Sequence, residues 1–136
     1  TDYAGTTPAT SITARFGSGH STQWQFKNGT YDNTNSNADS AGRFKPTTVI
    51  AVRVQVRDAG YTDPAGNFVP ESVTTGSGNA SIFHNGTVVQ GTWSKAGPTK
   101  NWVFTDAAGA PLKIPAGHTW LEVMPVDAKG GSLTFK

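Results

Sequence analysis

Residues 76–95 read GSGNASIFHNGTVVQGTWSK, and this stretch indicates the fold more clearly than any other part of the chain. Asn85-Gly86 separates two runs of residues that favour β-strands. Asn-Gly is the dipeptide best suited to the two positive φ angles of a type I′ turn, which joins neighbouring antiparallel strands. A loop of these two residues pairs Ile82 with Val89 across the strands. The stretch therefore predicts a β-hairpin.

The far end of this hairpin carries two small residues opposite each other. The same register pairs Ala80 with Gly91, and Trp93 follows Gly91 on the same face because side chains two residues apart in a strand point the same way. We expect the indole of Trp93 to fill the space beside these small residues. The glycines and the tryptophan of this stretch are explained by packing, and they are weak evidence for an active site.

The composition of the chain favours strands over helices. Sixteen Gly, eight Pro and a charged fraction of 15% in 136 residues are typical of short strands joined by turns. A second Asn-Gly turn, Asn28-Gly29, predicts a hairpin in which Phe26 lies opposite Tyr31. We predict an all-β fold, a mainly antiparallel sandwich or partly closed barrel of short strands and hairpins. In this prediction residues 1–10 form a leader segment and residues 11–136 a single domain.

The clearest single strand covers residues 48–57, where apolar and polar side chains alternate. One face carries Ile50, Val52, Val54 and Val56, and the other carries Arg53, Gln55 and Arg57. This alternation predicts one buried face and one solvent-exposed face, which suits antiparallel pairing.

Residues 58–75 follow as a long excursion that contains the turn-forming tetrad Asp63-Pro64-Ala65-Gly66. An excursion of this length is more typical of a segment shaped for function or packing than of a simple connector.

The charge and the cysteine content exclude several classes of protein. The formal net charge is +2, and the sequence has no run of Lys or Arg of the kind that follows a phosphate backbone, so no nucleic-acid partner is predicted. With no cysteine, the chain has no disulfide, no thiolate chemistry and no Cys-based metal site. No apolar stretch reaches the roughly 20 residues that a membrane-spanning helix needs. No cofactor is predicted.

Several motifs resemble a known family. They are, in chain order, Gly76-Ser77-Gly78-Asn79-Ala80, Asn85-Gly86, Gly91-Thr92-Trp93-Ser94-Lys95, Asp106-Ala107-Ala108-Gly109 and Pro115-Ala116-Gly117-His118-Thr119-Trp120-Leu121-Glu122-Val123-Met124-Pro125. This set resembles the C-terminal half of the YerB-like bacterial lipoproteins, the family catalogued as domain of unknown function 3048. The resemblance extends from about Ser11 to Pro125. Residues 63–71 (DPAGNFVPE) are similar to the form found in actinobacterial members.

The resemblance implies a location and a longer precursor. Members of this family are expected to be exported and held at the outer face of the cytoplasmic membrane by a lipidated N-terminal cysteine of the precursor. This chain would then be the C-terminal part of such a precursor, extracellular or in the cell envelope, with membrane contact only through that lipid anchor. The expected partners are the precursor's N-terminal domain and a cell-envelope protein or wall glycan. The resemblance assigns no activity.

Aromatic side chains are the first candidate ligand site. A platform for stacking on sugar rings would be built from the four tryptophans, at positions 24, 93, 102 and 120, with Tyr31 and Tyr61. Its candidate ligand-binding residues are Trp102, Trp24, Tyr31 and Tyr61. The preferred alternative is that the tryptophans fill the core, since an indole brings a large buried area and one N–H to satisfy. Trp102 is expected to be the most exposed, because it lies beside the turn at residues 97–100. Asp63 and Asn67, within the excursion, complete the candidate ligand-binding set.

The segment at residues 32–39 is rich in side-chain oxygens of the kind that bind calcium. The candidate ligands are Asp32, Asn35, Asn37 and Asp39. The segment lacks the glycine at the sixth loop position and the distant bidentate glutamate of an EF-hand. A solvated surface turn is therefore the preferred interpretation, and no metal is predicted.

Histidines and carboxylates show no catalytic spacing. The histidines at positions 20, 84 and 118 lie far apart and form neither a His-x-His nor a His-Glu-x-x-His motif. No Gly-x-Ser-x-Gly element is present. A carboxylate pair for glycoside cleavage would have to come from Glu71, Glu122, Asp39 or Asp106. We expect Glu122 to lie at the surface opposite a basic side chain, because it alternates with Leu121 and Val123.

These observations favour a non-catalytic protein over an enzyme. We predict a binding or scaffold domain of a secreted lipoprotein in the cell envelope, with a protein or a cell-wall glycan as ligand. Two alternatives stay open: part of a cell-wall-modifying hydrolase whose site lies at the junction with an N-terminal domain, and a self-assembling structural β-domain. The second follows from the terminal strand at residues 133–136, where only Lys136 guards the edge against pairing with another copy.

Overall fold

A computed structural model describes residues 2–35 and 41–136 of the chain. Within these residues the secondary structure consists of strands and one 3₁₀ turn at Asp127–Lys129. The strands are β1 (Thr7–Pro8), β2 (Ser11–Arg15), β3 (Ser21–Lys27), β4 (Thr30–Asn33), β5 (Thr48–Thr62), β6 (Phe68–Val73), β7 (Gly76–His84), β8 (Thr87–Lys95), β9 (Val103–Asp106), β10 (Thr119–Pro125) and β11 (Ser132–Phe135). No helix in these two ranges has the length and apolar character that crossing a bilayer requires. The predicted all-β class is confirmed.

The strands form two sheets that pack face to face. The larger sheet has the order β1-β8-β7-β5-β10, with β9 alongside β8 and β6 alongside the far end of β5, and the smaller sheet has the order β11-β2-β3-β4. Among the described strands, neighbours are antiparallel except β5 and β10, which run parallel from Thr48↔Thr119 to Val54↔Pro125. The sheets do not close into a barrel. Of the two predicted forms, a sandwich and a partly closed barrel, the fold is therefore the mainly antiparallel sandwich.

Both Asn-Gly turns take the predicted conformation. Asn28 and Gly29 have φ angles of 53° and 85°, and Asn85 and Gly86 have φ angles of 51° and 72°. Positive φ at both loop residues is the mark of the type I′ turn, whose twist matches that of the two strands it joins. The resulting registers confirm the predicted cross-strand pairs, which are Phe26 with Tyr31, Ile82 with Val89 and Ala80 with Gly91.

The main core lies between the two sheets. The larger sheet contributes Val49, Ala51, Phe83, Val88 and Met124, and the smaller sheet contributes Ile12, Ala14, Trp24 and Tyr31. Along β2 and β3 these buried positions alternate with more exposed ones, so the smaller sheet buries one face only. The segment before β2 also joins this core, because β1 pairs with β8 and Ala9 is completely buried.

The larger sheet is buried on both faces near its centre, which corrects the solvent-exposed face expected for residues 48–57. A second apolar cluster covers the face away from the smaller sheet and contains Ile50, Val52, Val54, Ala80, Ile82, Trp93, Phe104 and Leu112. Only beyond Val54 does β5 alternate with solvent as predicted. The unexpected burial is on the face of Val49 and Ala51, which packs against the smaller sheet. The segment carrying Leu112 and Ile114 covers the face of Ile50, Val52 and Val54, which was predicted to be buried.

The indole of Trp93 packs against a different glycine from the one predicted. It lies over Gly78, where a Cβ would come within 2.7 Å of the indole nitrogen, and it donates a hydrogen bond to the carbonyl oxygen of Arg53 at 2.9 Å. The space beside Gly91 is taken by β9, since a Cβ on Gly91 would overlap the carbonyl oxygen of Thr105. Each glycine therefore permits a close approach that a larger residue would block.

Candidate functional site

A two-stranded arm extends beyond the sandwich and consists of the far half of β5, the tip turn and β6, residues 55–73. Its ladder runs from Gln55↔Val73 to Asp58↔Pro70 and resumes at Thr62↔Phe68 after an irregularity. The other neighbours of β5 are β7 and β10, which pair only with residues 48–54. In the described part of the chain the arm is thus a hairpin without a third strand. It contains most of the excursion that the sequence singled out at residues 58–75.

The irregularity in the arm is built around Gly60. This residue has a φ of 89°, in the region that favours glycine, and its N–H donates a hydrogen bond to Asp58 Oδ1 at 2.8 Å. Insertions of this kind increase the local twist of a ribbon and leave the extra residues unpaired. The outer end of the arm is therefore presented at an angle different from that of a regular hairpin.

Asp63 organises the turn at the tip of the arm. Its Oδ1 accepts hydrogen bonds from the backbone N–H groups of Ala65 and Asn67, both at 2.9 Å, and its Oδ2 accepts one from Asn67 Nδ2 at 3.1 Å. The bond from the Asn67 side chain, followed by those from the backbone, lowers the pKa of the Asp63 carboxyl below its ordinary value. The two candidate ligands Asp63 and Asn67 are brought together, and their polar atoms hold the turn.

Two large apolar side chains of the arm face solvent. Tyr61 is 63% exposed and Phe68 is 75% exposed, and the only other exposed large hydrophobic side chain among the described residues is Val103. Aromatic side chains are enriched in protein interfaces and dominate their binding energy. Tyr61 was a candidate from the sequence, whereas Phe68 was missed. Its place in the excursion, beside the tip turn, is the signal that would have identified it.

A groove, here called the arm groove, lies between the arm and one end of the sandwich. It has an outer part of about 260 Å³ and an inner part of about 300 Å³. Its apolar lining includes Val56, Phe68 and Pro70 of the arm and Phe16, Val123 and Pro125 of the sandwich. Val56, Pro70 and Lys129 line both parts, so the two parts adjoin, and Arg57 and Asp58 also line the outer part. Lys129, on the 3₁₀ turn, places a cation beside this apolar lining.

Trp24 and Tyr31 lie inside the main core. Trp24 is 1% exposed, and the Tyr31 hydroxyl accepts a hydrogen bond from the Gly86 N–H at 3.2 Å. Burial, the largest influence, raises the pKa of Tyr31 to about 12. Neither ring presents a face to a ligand. Trp24 and Tyr31 are therefore core residues, as the preferred interpretation of the sequence had it.

Glu122 is buried in the main core, so the expected surface position was wrong. It is 3% exposed, and its Oε1 accepts hydrogen bonds from the indole N–H of Trp24 and from the hydroxyl of Thr22. The alternation argument failed because Leu121 and Val123 pack against the second cluster on the opposite face of the sheet. Both faces of β10 are covered by other parts of the protein. Glu122, which lies between Leu121 and Val123 in the strand, therefore points into the main core.

The four tryptophans do not form one platform. Trp24 and Trp120 contact each other in the main core with ring centroids 5.2 Å apart. Trp93 and Trp102 meet edge to face at 5.0 Å in the second cluster, on the other side of the larger sheet. Trp102 is half-buried there. The candidate rings Trp24 and Trp102 are thus separated by the larger sheet.

The calcium candidates are only partly described. Asp32 forms an ion pair with Lys45 at 2.7 Å, and the Asn35 side chain donates to the Ser21 carbonyl oxygen at 2.8 Å. Asn37 and Asp39 lie outside the described residues. Within residues 2–35 and 41–136, no three His, Cys, Asp or Glu side chains are grouped so as to hold a metal ion.

The histidines and the remaining carboxylates have separate local partners. Each histidine packs against a different aromatic ring, and the pairs are His20 with Phe16, His84 with Tyr3 and His118 with Phe44. Glu71 forms an ion pair with Arg57 across the arm at 2.8 Å. Asp106 accepts hydrogen bonds from the backbone N–H groups of Ala108 and Ala110, both at 2.9 Å. These two carboxylates therefore support local structure at two different places in the fold.

Comparison with known proteins identifies the family. A family model described as "Protein of unknown function (DUF3048) C-terminal domain" matches residues 12–121. The chain belongs to this family. The match includes the whole arm and strands β3 to β9, most of β2 and the start of β10, but neither β1 nor β11. It confirms the resemblance seen in the sequence motifs.

A solved structure of similar fold is the crystal structure of YerB protein from Bacillus subtilis. The two structures agree with a TM-score of 0.70 at 15% sequence identity, over 95% of this chain and 45% of that one. At this identity the likeness shows a shared fold. The chain spans less than half the length of YerB. No match was found among curated proteins.

Proposed function

We propose that this chain is a non-catalytic binding domain of the bacterial cell envelope and that the arm is its principal contact element. The observation that carries the proposal is the exposure of Tyr61 and Phe68 on an element that leaves the sandwich. Isolated apolar side chains are common on protein surfaces, but here two of the three exposed large ones belong to a single hairpin. The arm therefore combines reach with the side-chain types that dominate binding energy.

The arm is also ordered before it meets a partner. The Asp63 carboxylate holds the tip turn through three hydrogen bonds, and the Arg57–Glu71 ion pair links the two strands. A contact element that is already ordered loses less conformational entropy on binding than a flexible loop. This supports a role for the arm in recognition.

A protein partner fits the arm better than a wall glycan does. Sugar-binding surfaces use flat rings presented to solvent, whereas Trp24 is buried and Trp102 packs edge to face against Trp93. Location in the envelope is supported by the resemblance to YerB-like lipoproteins, with a lipid anchor on the precursor as the link to the membrane. The precursor's N-terminal domain is one protein partner consistent with this arrangement.

The test compares binding of the purified chain to detergent-solubilised envelope proteins of the source bacterium and to purified peptidoglycan. The double variant Tyr61→Ala with Phe68→Ala is expected to lose at least about tenfold of the protein binding, as expected when two interface anchors are truncated. Val103→Ala, which truncates the exposed hydrophobic residue outside the arm, is the matched control and should bind normally. Equal binding by the double variant would refute the arm as contact element. Peptidoglycan binding that Trp102→Ala abolishes would favour the glycan instead.

Self-association is a second candidate function because of one observation. β11 pairs only with β2 and ends the smaller sheet, so its outer edge has no strand partner among the described residues. An unpaired edge is able to accept a strand of another copy. Light scattering at two concentrations should show a concentration-dependent mass if this edge drives assembly, and a constant monomer mass would exclude it.

A further inference from the structure

Among the described residues, one edge of β5 has no partner strand beyond Val54. β10 pairs with β5 as far as Pro125↔Val54, and then the chain leaves the sheet after the Val126 N–H donates to the Val54 carbonyl oxygen at 3.0 Å. β6 occupies the opposite edge of β5. The edge from Val56 to Thr62 is therefore without a neighbouring strand in the part of the chain that the structure describes.

Successive residues of a strand direct their backbone N–H and C=O groups to opposite edges, and this alternation decides which groups the open edge of β5 presents. The N–H and C=O of one residue point to the same side, and residues two apart repeat that direction. Because the Val54 carbonyl points towards the β10 side, Val56 and Asp58 direct their N–H and C=O groups to the same, open side. These backbone groups are positioned to accept a further strand in line with β10.

Lys129 lies beside this open edge. It follows the end of β10 on the 3₁₀ turn and lines both parts of the arm groove together with Val56 and Pro70. Two neighbouring cations are already paired, Arg53 with Asp127 and Arg57 with Glu71. The Lys129 ammonium forms no hydrogen bond or ion pair with any described residue. The groove therefore offers the unpaired Lys129 ammonium beside apolar side chains, while the Asp58 carboxylate that also lines its outer part accepts the Gly60 N–H.

We propose that the arm groove binds an extended segment of a protein partner that adds a strand to the free edge of β5. In strand addition the main-chain hydrogen bonds supply affinity, and pockets for alternate side chains supply specificity. The segment places apolar side chains against Val56, Pro70 and the adjoining sandwich residues, and it carries a carboxylate that pairs with Lys129. The inference rests on the proposed function, because it assigns the chemistry of the partner that the same arm recognises.

The first experiment selects a random peptide library displayed on phage against the purified chain. Wild type is expected to enrich sequences in which apolar residues recur at every second position and in which Asp or Glu is over-represented. Lys129→Glu should shift the selection from acidic to basic residues, while Lys100→Glu, on the exposed loop between β8 and β9, should not. Lys129 is exposed, so circular dichroism should show that this variant folds normally. The absence of enrichment, or enrichment that Lys129→Glu leaves unchanged, would overturn the proposal.

The second experiment uses a synthetic peptide of the selected sequence. Its affinity should fall at least about fivefold in Lys129→Glu, since loss of an interfacial charge pair weakens binding. The amide N–H groups of Val56 and Asp58 should gain protection from hydrogen exchange when the peptide binds. Unchanged exchange at both amides would refute strand addition, and protection that appears without peptide as the protein concentration rises would assign the edge to a second copy. If no peptide binds but the Tyr61 and Phe68 variant still loses envelope binding, only this inference fails and the proposed function stands.

Discussion

The indole N–H of Trp24 donates a hydrogen bond of 2.9 Å to the Oε1 of Glu122 in the core between the two sheets. The same oxygen accepts the hydroxyl of Thr22. Glu122 belongs to β10 of the larger sheet, and both donors belong to β3 of the smaller one. A buried carboxylate is tolerated only where donors satisfy its oxygens. These three side chains therefore link the two layers of the sandwich.

Glu122→Ala should destabilise the fold strongly. The substitution leaves the buried donors of Trp24 and Thr22 without their acceptor, and each unsatisfied group costs about 1–3 kcal/mol. We expect the free energy of unfolding, measured by urea denaturation, to fall by about 2–5 kcal/mol. Glu122→Gln keeps an acceptor oxygen and should lose less. Glu71→Gln on the exposed arm is the control, and an equal loss in that variant would contradict a special role for Glu122.

Gly91→Ala should disrupt the pairing of β9 with β8. A Cβ at this position would overlap the carbonyl oxygen of Thr105, and a backbone atom has little freedom to move away. We expect a loss of about 1–3 kcal/mol in the free energy of unfolding, as for other overpacked sites. Gly97→Ala is the matched control because its nearest neighbour would be the Lys100 side chain at 3.7 Å. Equal stability of the two variants would show that β9 is able to shift.

Alkaline pH should destabilise the fold through Tyr31. Burial raises the pKa of Tyr31 to about 12, whereas the pKa in the unfolded chain is close to 10.0. The stabilisation from this group is fully present below pH 10 and is lost as the pH rises towards 12, because the unfolded state releases its proton first. Urea denaturation across this range should show a falling free energy of unfolding. Tyr31→Phe should flatten that dependence, and an identical slope in the variant would exclude Tyr31 as the cause.

Acid should loosen the tip of the arm. Hydrogen bonds from Asn67 and the turn backbone lower the pKa of Asp63 below its ordinary value of 3.8. A lowered pKa in the folded state means that the stabilisation is present above pH 3.8 and is lost as the pH falls through the lowered value. The amide resonances of Ala65 and Asn67 should therefore shift together below pH 3.8 in an NMR titration. Asp63→Asn should remove the transition, and its persistence would assign it to another group.

Local features of the fold were predictable from sequence. Each Asn-Gly loop of two residues permits one register, so Phe26↔Tyr31 and Ala80↔Gly91 followed directly from the dipeptides. The excursion at residues 58–75 also indicated where the candidate site lies. Phe68 was missed although it lies in that excursion beside the tip turn, because its exposure also depends on there being no third strand beside the arm among the described residues.

The positions that were mispredicted depend on segments distant in sequence. Alternation along residues 48–57 indicates which side chains share a face, but it does not show that the smaller sheet covers the face of Val49 and Ala51. Gly91 likewise faces the backbone of β9 and not the indole of Trp93. In each case the local pattern was correct and the neighbour came from elsewhere in the chain.

The sequence by itself determined the all-β class and the two type I′ hairpins, because turn geometry and side-chain period act over a few residues. It also indicated the family, through the resemblance of its motifs. Only the tertiary structure decided that β5 and β10 run parallel and that Glu122 is buried against Trp24 and Thr22. It also decided that, within the described part of the chain, the arm has an edge without a partner strand beside Lys129. These features depend on which distant segments meet. That choice is made by the burial of apolar surface across the whole chain, which no single stretch of sequence encodes.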